Sequence, residues 1–289
     1  MHNTAMAITQ LATRALFYEV ALYPKPGLVD PMDNGAHHDM DLSTFMDSAT
    51  ALMPALYEFS EAGLTYPLDA SLPGLFDQVR QIGLIAEGDM YAATNQINTH
   101  KGAIFSFALL CSAVGHVLAT SHIELAAWTK INTDAVFTTI AQMTQALDHD
   151  FDNLANKKKL SYGEKLYLDY GIKGIRGEAA AGYPALRDYG LPFLRRTQNT
   201  PRHLRLLDLF LELLANTTDS NVIHRSDMAT LHRIQHQVRG LLAQGGIAKL
   251  GVEPMVALNK EFIALNISPG GTADLLAASV FLGFLEKLF

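Results

Sequence analysis

The sequence has little charge and no excess of basic residues. Charged residues make up 18% of its 289 residues, against about 25% in an average soluble domain, and hydrophobic residues make up 49%. Much of a chain with this composition must be interior. Lysine and arginine number 22 and aspartate and glutamate 29, for a net charge of -7. This balance excludes a protein that binds nucleic acid through a broad basic face.

Cysteine is almost absent. The single cysteine, Cys111, excludes a disulfide framework within the chain. It lies in the apolar run at residues 107–111, which predicts a small core residue in a reducing compartment.

The sequence also lacks a clear secretion or membrane signal. Its first 20 residues have no basic leader and carry Arg14 in mid-run, unlike a signal peptide. The longest apolar stretch, residues 102–119, is interrupted by two serines and a histidine and falls short of the ~20 apolar residues of a spanning helix. We therefore expect a cytoplasmic protein with no membrane partner.

Strand signals are scarce, because no stretch sustains an alternation of apolar and polar residues. Helix starts are frequent, and Ser121-x-x-Glu124 and Ser161-x-x-Glu164 both fit the capping box. The pattern predicts an all-α protein, a single compact domain over residues 1–289, with roughly ten to thirteen helices. The predicted helices cover residues 5–22, 42–62, 72–95, 100–119, 122–130, 133–148, 162–171, 176–195, 201–216, 226–244, 252–265 and 272–288.

Five segments rich in Gly, Pro, Asp, Asn, Lys and Arg do not fit a helical core. The first is residues 24–41, where twelve residues from Asp30 to Asp41 hold four aspartates and two histidines. Carboxylates crowded in one loop repel each other unless a cation lies between them, and oxygen ligands suit Mg²⁺. The alternative is a surface loop in which Asp41 caps the next helix.

The second and third segments carry cations. Lys101 opens a helix, where its charge opposes the helix dipole unless an anion binds there. In residues 170–178, glycine recurs every third residue with Lys173 and Arg176 between, a pattern that suits a polyphosphate. It is not a Walker loop. The alternatives are an exposed lysine and an ordinary helix–helix turn.

The fourth and fifth segments are residues 218–225 and 266–274. Asp219 and Asn221 offer two oxygens at the spacing of a loop metal site, and Arg225 adds a phosphate donor. Gly270 and Gly271 open a helix and can expose free amides to a ligand. The alternatives are that Asp219 or Ser220 only caps a short helix, and that Asp274 only complements the dipole of the helix that follows the glycines.

Together the five segments resemble the triphosphoribosyl-dephospho-CoA synthases. The matching stretches are residues 19–41, 98–106, 160–184, 219–225 and 268–277, in one order along nearly the whole chain. One departure is clear. The family usually reads Thr-His-Gly-Glu where this chain has Ser161-Tyr162-Gly163-Glu164, so any role of that histidine is lost here.

The resemblance implies a soluble, cytoplasmic, all-helical pentosyltransferase. ATP would give its 5-triphosphoribosyl group to the ribose 2′-hydroxyl of 3′-dephospho-CoA and release adenine, with Mg²⁺ on the triphosphate. The product would be the prosthetic-group precursor of the acyl carrier protein of citrate lyase or of malonate decarboxylase. Whether the enzyme is a monomer or a homodimer stays open.

The residue roles at this point are hypotheses. The catalytic candidates are Glu178, the first choice for the base, and Asp30, Asp33 and Asp39. The candidates for ATP and phosphate binding are Lys25, Lys101, Lys173, Arg176, Arg225, Gly270 and Gly271. The candidate metal ligands are Asp33, Asp39, Asp219 and Asn221. A second rank holds Glu19, Asn34, His37, His38, Glu164 and Asp274.

Two other readings compete with this one. His37-His38-Asp39 with Asp219 supplies the ligand types of helical metal-dependent phosphohydrolases of the HD type, although oxygen ligands outnumber histidines and favour Mg²⁺. The other is a helical nucleotide-binding or scaffold protein without catalysis, which would present an exposed apolar groove.

Overall fold

A computed structural model describes residues 2–147, 154, 157, 160 and 162–289, with the side chain of residue 162 left out. The protein is 73% helical, and no strand occurs among the described residues. The predicted all-α class is confirmed. Cys111 is free and buried, and burial raises the pKa of its thiol, in agreement with its predicted place in the core.

The helices are short to medium in length and follow one another closely. They are α1 (His2–Val20), α2 (Leu42–Ala51), α3 (Met53–Thr65), α4 (Leu72–Ala93), α5 (Lys101–Ser121), α6 (Lys130–Met143), α7 (Tyr162–Tyr170), α8 (Gly174–Ala180), α9 (Leu191–Arg196), α10 (Arg202–Asn216), α11 (Ser220–Arg225), α12 (Met228–Ala243), α13 (Gly246–Leu250), α14 (Glu253–Ala264) and α15 (Gly270–Leu285). A 3₁₀ turn covers Leu125–Ala127, and a π-helical turn covers Ala185–Gly190.

Two predicted helices are divided in the structure. The predicted helix 42–62 breaks at Leu52, because a proline in the first turn of α3 lacks the amide that would continue α2. The predicted helix 176–195 divides into α8, the π-helical turn and α9, with Tyr183 at a positive φ of 52° between them. The structure therefore has more and shorter helices than predicted.

The prediction of a helix over residues 122–130 was wrong. Ser121 is the last residue of α5, and His122 takes a left-handed conformation that ends the helix. Ser121 therefore cannot cap a following helix with Glu124, and a single 3₁₀ turn follows. The second predicted capping box begins at residue 161, outside the described residues.

Helix α5 runs through the core and packs against α3, α4, α6 and α15. It lies so close to α3 that a Cβ on Gly63 would meet the carbonyl oxygen of Ser112 at 1.9 Å. By length and composition α5 could cross a membrane, but 83% of its apolar window is buried inside the protein. The N-termini of α5 and α15 point to the same region of the molecule, where the functional site forms.

Candidate active site

The five unusual segments of the sequence converge on one cavity of about 640 Å³. Its wall combines the end of α1, the loop at residues 24–41, the start of α5, the join of α7 and α8, the residues around α11 and the start of α15. Of the predicted site residues, it is lined by Glu19, Lys25, His37, Asp39, Lys101, Glu178, Asp219, Asn221, Arg225, Gly270, Gly271 and Asp274.

Two predicted catalytic carboxylates hold the loop at residues 24–41 together instead of facing the cavity. Asp30 is buried and accepts hydrogen bonds from the amides of Lys25, Met32 and Asp33 at 3.1, 2.8 and 3.1 Å. Asp33 accepts from the Gly35 amide at 2.7 Å and from the Asn259 side chain at 2.8 Å. Neither lines the cavity, because these amides engage both carboxylates. The structure therefore favours a structural role for Asp30 and Asp33.

The far end of the same loop is fixed by Arg225. Its guanidinium donates to the Ala36 carbonyl at 2.9 Å and to His37 Nδ1 at 3.3 Å. His37 Nε2 lies 2.8 Å from Ser268 Oγ. Burial, followed by the charge of Arg225, lowers the pKa of His37 to about 4. The histidine is therefore neutral and both ring nitrogens are engaged, so it positions the loop.

Glu19 and Lys25 form a buried ion pair in the cavity wall. Their side chains are 7% and 1% exposed, and the ammonium group donates to Glu19 Oε1. Burial raises the pKa of Glu19, and the charge of Lys25 opposes that rise. Each charge largely neutralises the other, so Lys25 contributes less to phosphate binding than its sequence position suggests.

Asp219 joins α11 to the start of α15. One carboxylate oxygen accepts from the amides of Asn221 and Val222 at 2.9 and 3.2 Å. The other accepts from the amide and the hydroxyl of Thr272 at 2.7 and 2.8 Å. Burial raises the pKa of Asp219, and these four hydrogen bonds lower it. Because both oxygens already accept hydrogen bonds, Asp219 is a poor metal ligand. Its role is to hold the start of α11 against the start of α15.

Among the carboxylates that line the cavity, Asp274 has the fewest contacts that stabilise a negative charge. It lies near the start of α15, just past the first turn, and its carboxylate has no hydrogen bond or ion pair within the described part of the chain. Burial, together with the charges of Glu19 and Asp219, raises its pKa well above the usual range. Its Oδ2 packs on Gly102, where an added Cβ would lie 2.1 Å away. The starts of α5 and α15 therefore meet at this carboxylate.

Glu178, the predicted base, lies in the cavity wall on α8. Its Oε2 accepts from the Ala185 amide at 3.0 Å, across the turn that ends α8. Burial raises its pKa, and this hydrogen bond opposes the rise. A glutamate with a raised pKa and a fixed orientation has the properties of a general base near neutral pH.

The remaining predicted residues divide between the rim and the outside of the cavity. Lys101 lines the rim and forms an ion pair with Glu87 at 2.8 Å. Asp39 is exposed on the rim, with its side chain 62% accessible. The predicted residues that do not line the cavity are Asn34, His38, Glu164, Lys173 and Arg176. Among them, Glu164 is buried and pairs with Lys157.

Sequence reasoning missed His100, which lies in the second segment directly before α5. The ring is buried in the cavity wall, with Nδ1 2.7 Å from Ser48 Oγ. Nε2 is buried and has no hydrogen-bond partner among the described residues. Burial, followed by the charge of Lys25, lowers its pKa to about 3. The signal available in the sequence was a histidine directly before the lysine that opens α5.

Comparison with models of known protein families gives a match over almost the whole chain. The family model described as "ATP:dephospho-CoA triphosphoribosyl transferase" matches residues 5–289. The chain belongs to this family. The resemblance drawn from the five segments is thereby confirmed.

Named relatives match this chain over nearly their whole length. A protein of Streptococcus equi subsp. zooepidemicus, named "Probable 2-(5''-triphosphoribosyl)-3'-dephosphocoenzyme-A synthase", is 43% identical over 287 residues, with 97% of both chains covered. A protein of the same name from Streptococcus pyogenes serotype M5 is 43% identical over 289 residues, covering 98% of this chain and 97% of the relative. The crystal structure of a candidate triphosphoribosyl-dephospho-CoA synthase from Archaeoglobus fulgidus shares the fold, with a TM-score of 0.51, 19% identity, and coverage of 84% of this chain and 100% of that one.

The metal that the transferase family implies can be tested against the side chains of the cavity. In the described part of the chain, no group of three or more His, Cys, Asp and Glu residues is arranged to hold a metal ion. The predicted ligand Asp33 lies off the cavity, and the oxygens of Asp219 are engaged. Asp39 and Asn221 remain in the wall. One carboxylate and one amide fit a Mg²⁺ ion that is held mainly by substrate phosphates.

Proposed function

We propose that this chain transfers the 5-triphosphoribosyl group of ATP to the ribose 2′-hydroxyl of 3′-dephospho-CoA and releases adenine. The observation that carries the proposal is the convergence of the five family segments on one cavity, within a chain that matches the family over residues 5–289. We further propose that the product is the prosthetic-group precursor of an acyl carrier protein, that of citrate lyase or of malonate decarboxylase.

The transfer breaks the bond between ribose C1 and adenine, and the electron pair of that bond leaves with adenine. Positive charge then develops on the sugar, as in glycoside hydrolysis. We assign stabilisation of that charge to Asp274, because its carboxylate faces the cavity with no internal partner among the described residues. A developing cation beside it would relieve the repulsion from Glu19 and Asp219.

The new bond joins the 2′-oxygen of the acceptor to ribose C1, and the hydroxyl proton needs a base. Glu178 fits this role, because burial brings its pKa closer to neutral and the Ala185 amide holds one oxygen in place. The second oxygen is left to accept the proton. Adenine takes up one proton as it leaves, so the proton removed from the hydroxyl is balanced in the overall transfer.

The triphosphate stays intact through the reaction and must be held. The N-termini of α5 and α15 present the positive ends of two helix dipoles to the cavity. Lys101, Arg225 and the backbone at Gly270 and Gly271 line the same space. Mg²⁺, bound to the phosphates and held by Asp39 and Asn221, would neutralise phosphate charge.

Incubation of the protein with ATP, Mg²⁺ and 3′-dephospho-CoA, followed by mass analysis, tests the proposal. Free adenine and a product heavier by one triphosphoribosyl unit are expected. Glu178→Gln should lower kcat by about 10²-fold or more, whereas Glu58→Gln, an exposed residue of α3, should not. Release of phosphate with adenine retained, or no consumption of ATP, would overturn the assignment.

The two competing readings are not favoured. An HD-type phosphohydrolase needs histidines and aspartates clustered around a metal, but no such group of three or more occurs among the described residues, and both ring nitrogens of His37 are engaged by Arg225 and Ser268. A scaffold protein would give no reason for carboxylates such as Asp274 to face a polar cavity. The transferase family model matches residues 5–289.

A further inference from the structure

A second cavity, of about 250 Å³, lies between α4 and α5. Lys101 lines both cavities, so the second cavity lies beside the first at the start of α5. None of the steps derived above uses this second cavity.

The second cavity is apolar inside and charged at its mouth. Phe76, Val79 and Ile104 line it and are buried. Arg80 and Lys101, which also line it, are exposed. Arg176 adds a third cation and Glu87 one carboxylate. This arrangement suits a ligand that joins an anionic group to an uncharged, largely apolar body.

We propose that this second cavity binds the pantetheine diphosphate arm of the acceptor, an inference that rests on the proposed function. In 3′-dephospho-CoA, the ribose with the reacting 2′-hydroxyl carries a diphosphate on C5, and pantetheine follows. With that ribose beside Glu178, the diphosphate would reach Lys101, which lines both cavities, and then Arg80 and Arg176 at the mouth of the second. The uncharged arm then enters the apolar interior.

The donor fits this cavity less well. The adenine of ATP leaves the reaction without an anionic group, so a cationic mouth would not select it. The triphosphate of ATP has sites at α15 and Arg225 that do not line the second cavity, and Lys101 lies where it can contact the phosphates of either substrate. In this arrangement each substrate occupies its own cavity, and the two riboses meet in the first cavity beside Glu178.

Gly83 allows the second cavity to be filled with little strain. It lines the cavity within α4, and a Cβ added there would lie 3.8 Å from Ile104 Cγ2, an ordinary contact. Gly83→Leu should raise the KM for dephospho-CoA about tenfold and leave the KM for ATP unchanged. Gly88→Leu is the matched control, because Gly88 lies on the same helix with nothing within 4 Å of its added Cβ.

A second pair of variants covers the case in which Gly83→Leu misfolds. Leu84 lines the cavity and is 57% exposed, and its neighbour Ile85 is 65% exposed and lines neither cavity. Leu84→Asp places a negative charge where the diphosphate would lie, so it should raise the same KM about tenfold. Ile85→Asp should match the wild type.

Binding of 4′-phosphopantetheine, measured by calorimetry, separates this inference from the proposed reaction. The probe contains the arm and a phosphate but no nucleoside, so it needs no catalysis. Loss of its binding in Gly83→Leu and Leu84→Asp, but not in the two controls, supports the site even if the wild type releases no adenine. Absence of binding to the wild type, unchanged kinetics in both cavity variants, or an increase confined to the KM for ATP would each overturn the proposal.

Discussion

Replacing Asp274 by asparagine is expected to stabilise the free protein and to impair catalysis. The carboxylate faces two other acids, Glu19 and Asp219, and burial and these charges raise its pKa well above normal. Each unit of such a rise corresponds to about 1.4 kcal/mol of folding free energy once the group is ionised. An amide of the same shape carries no charge and avoids the cost of burying a carboxylate without partners, which is about 1–3 kcal/mol. We expect a gain of this order in the free energy of unfolding at pH values where the wild-type carboxylate is ionised.

The sign of the pH dependence follows from the raised pKa of Asp274. Below the usual aspartate pKa of about 3.9, the group is protonated in both the folded and the unfolded protein, and variant and wild type should be equally stable. As the pH rises towards the raised folded-state pKa, the unfolded state loses its proton first and the wild type loses stability relative to the variant. The difference should reach its plateau above the folded-state pKa.

Urea unfolding of both proteins across this pH range is the assay, with Asp89→Asn as control, since Asp89 is an exposed aspartate of α4. The control should show no pH-dependent gain. Adenine release by Asp274→Asn should fall by about 10²-fold or more, because the transition-state cation loses its counter-charge. A variant that is less stable than the wild type, or a difference that does not change with pH, would refute the electrostatic reasoning.

Three further variants test other parts of the cavity wall. Lys25→Met should destabilise the protein by about 3–5 kcal/mol, because it leaves Glu19 charged and buried, and the double variant with Glu19→Gln should recover most of that loss in denaturant unfolding; equal effects of single and double variants would argue against the pair. Arg225→Ala should move the pKa of His37 upwards from about 4, as followed by NMR titration, and only partly, because burial remains the larger cause. Gly102→Ala should lower the rate of adenine release without loss of helix, since its Cβ would lie 2.1 Å from a carboxylate oxygen of α15; an unchanged rate would contradict the close packing.

The helical class could be predicted because every long apolar stretch carries helix-compatible spacing and almost none alternates. The breaks were harder to predict. A proline such as Pro54 fits the first turn of a helix as well as it ends the previous one, so an unbroken apolar pattern across Leu52 concealed two helices. The end of α5 at His122 depends on a left-handed residue, which the sequence does not mark when that residue is not glycine.

The site could be predicted at the level of segments but not of individual carboxylates. Asp30 and Asp274 both belong to segments that contain Gly and Pro, and the sequence cannot show which carboxylate accepts backbone amides and which one faces the cavity. The dipole of α15 explained Asp274 well enough to rank it low. The structure distinguishes Asp274 by its contact with Gly102, whose missing side chain leaves room for the carboxylate.

The acidic balance of the sequence has a counterpart in the cavity. Its cations are largely occupied, since Lys25 neutralises Glu19 and Lys101 pairs with Glu87. The carboxylates that remain would repel a triphosphate, so the proposed binding of ATP depends on helix dipoles, on Arg225 and on a divalent cation carried with the phosphates. The same excess of negative charge favours the step after binding, because departure of adenine leaves a positive sugar among acids. A cavity built only to bind ATP would have more free lysines, and a cavity built to break its glycosidic bond keeps the carboxylates.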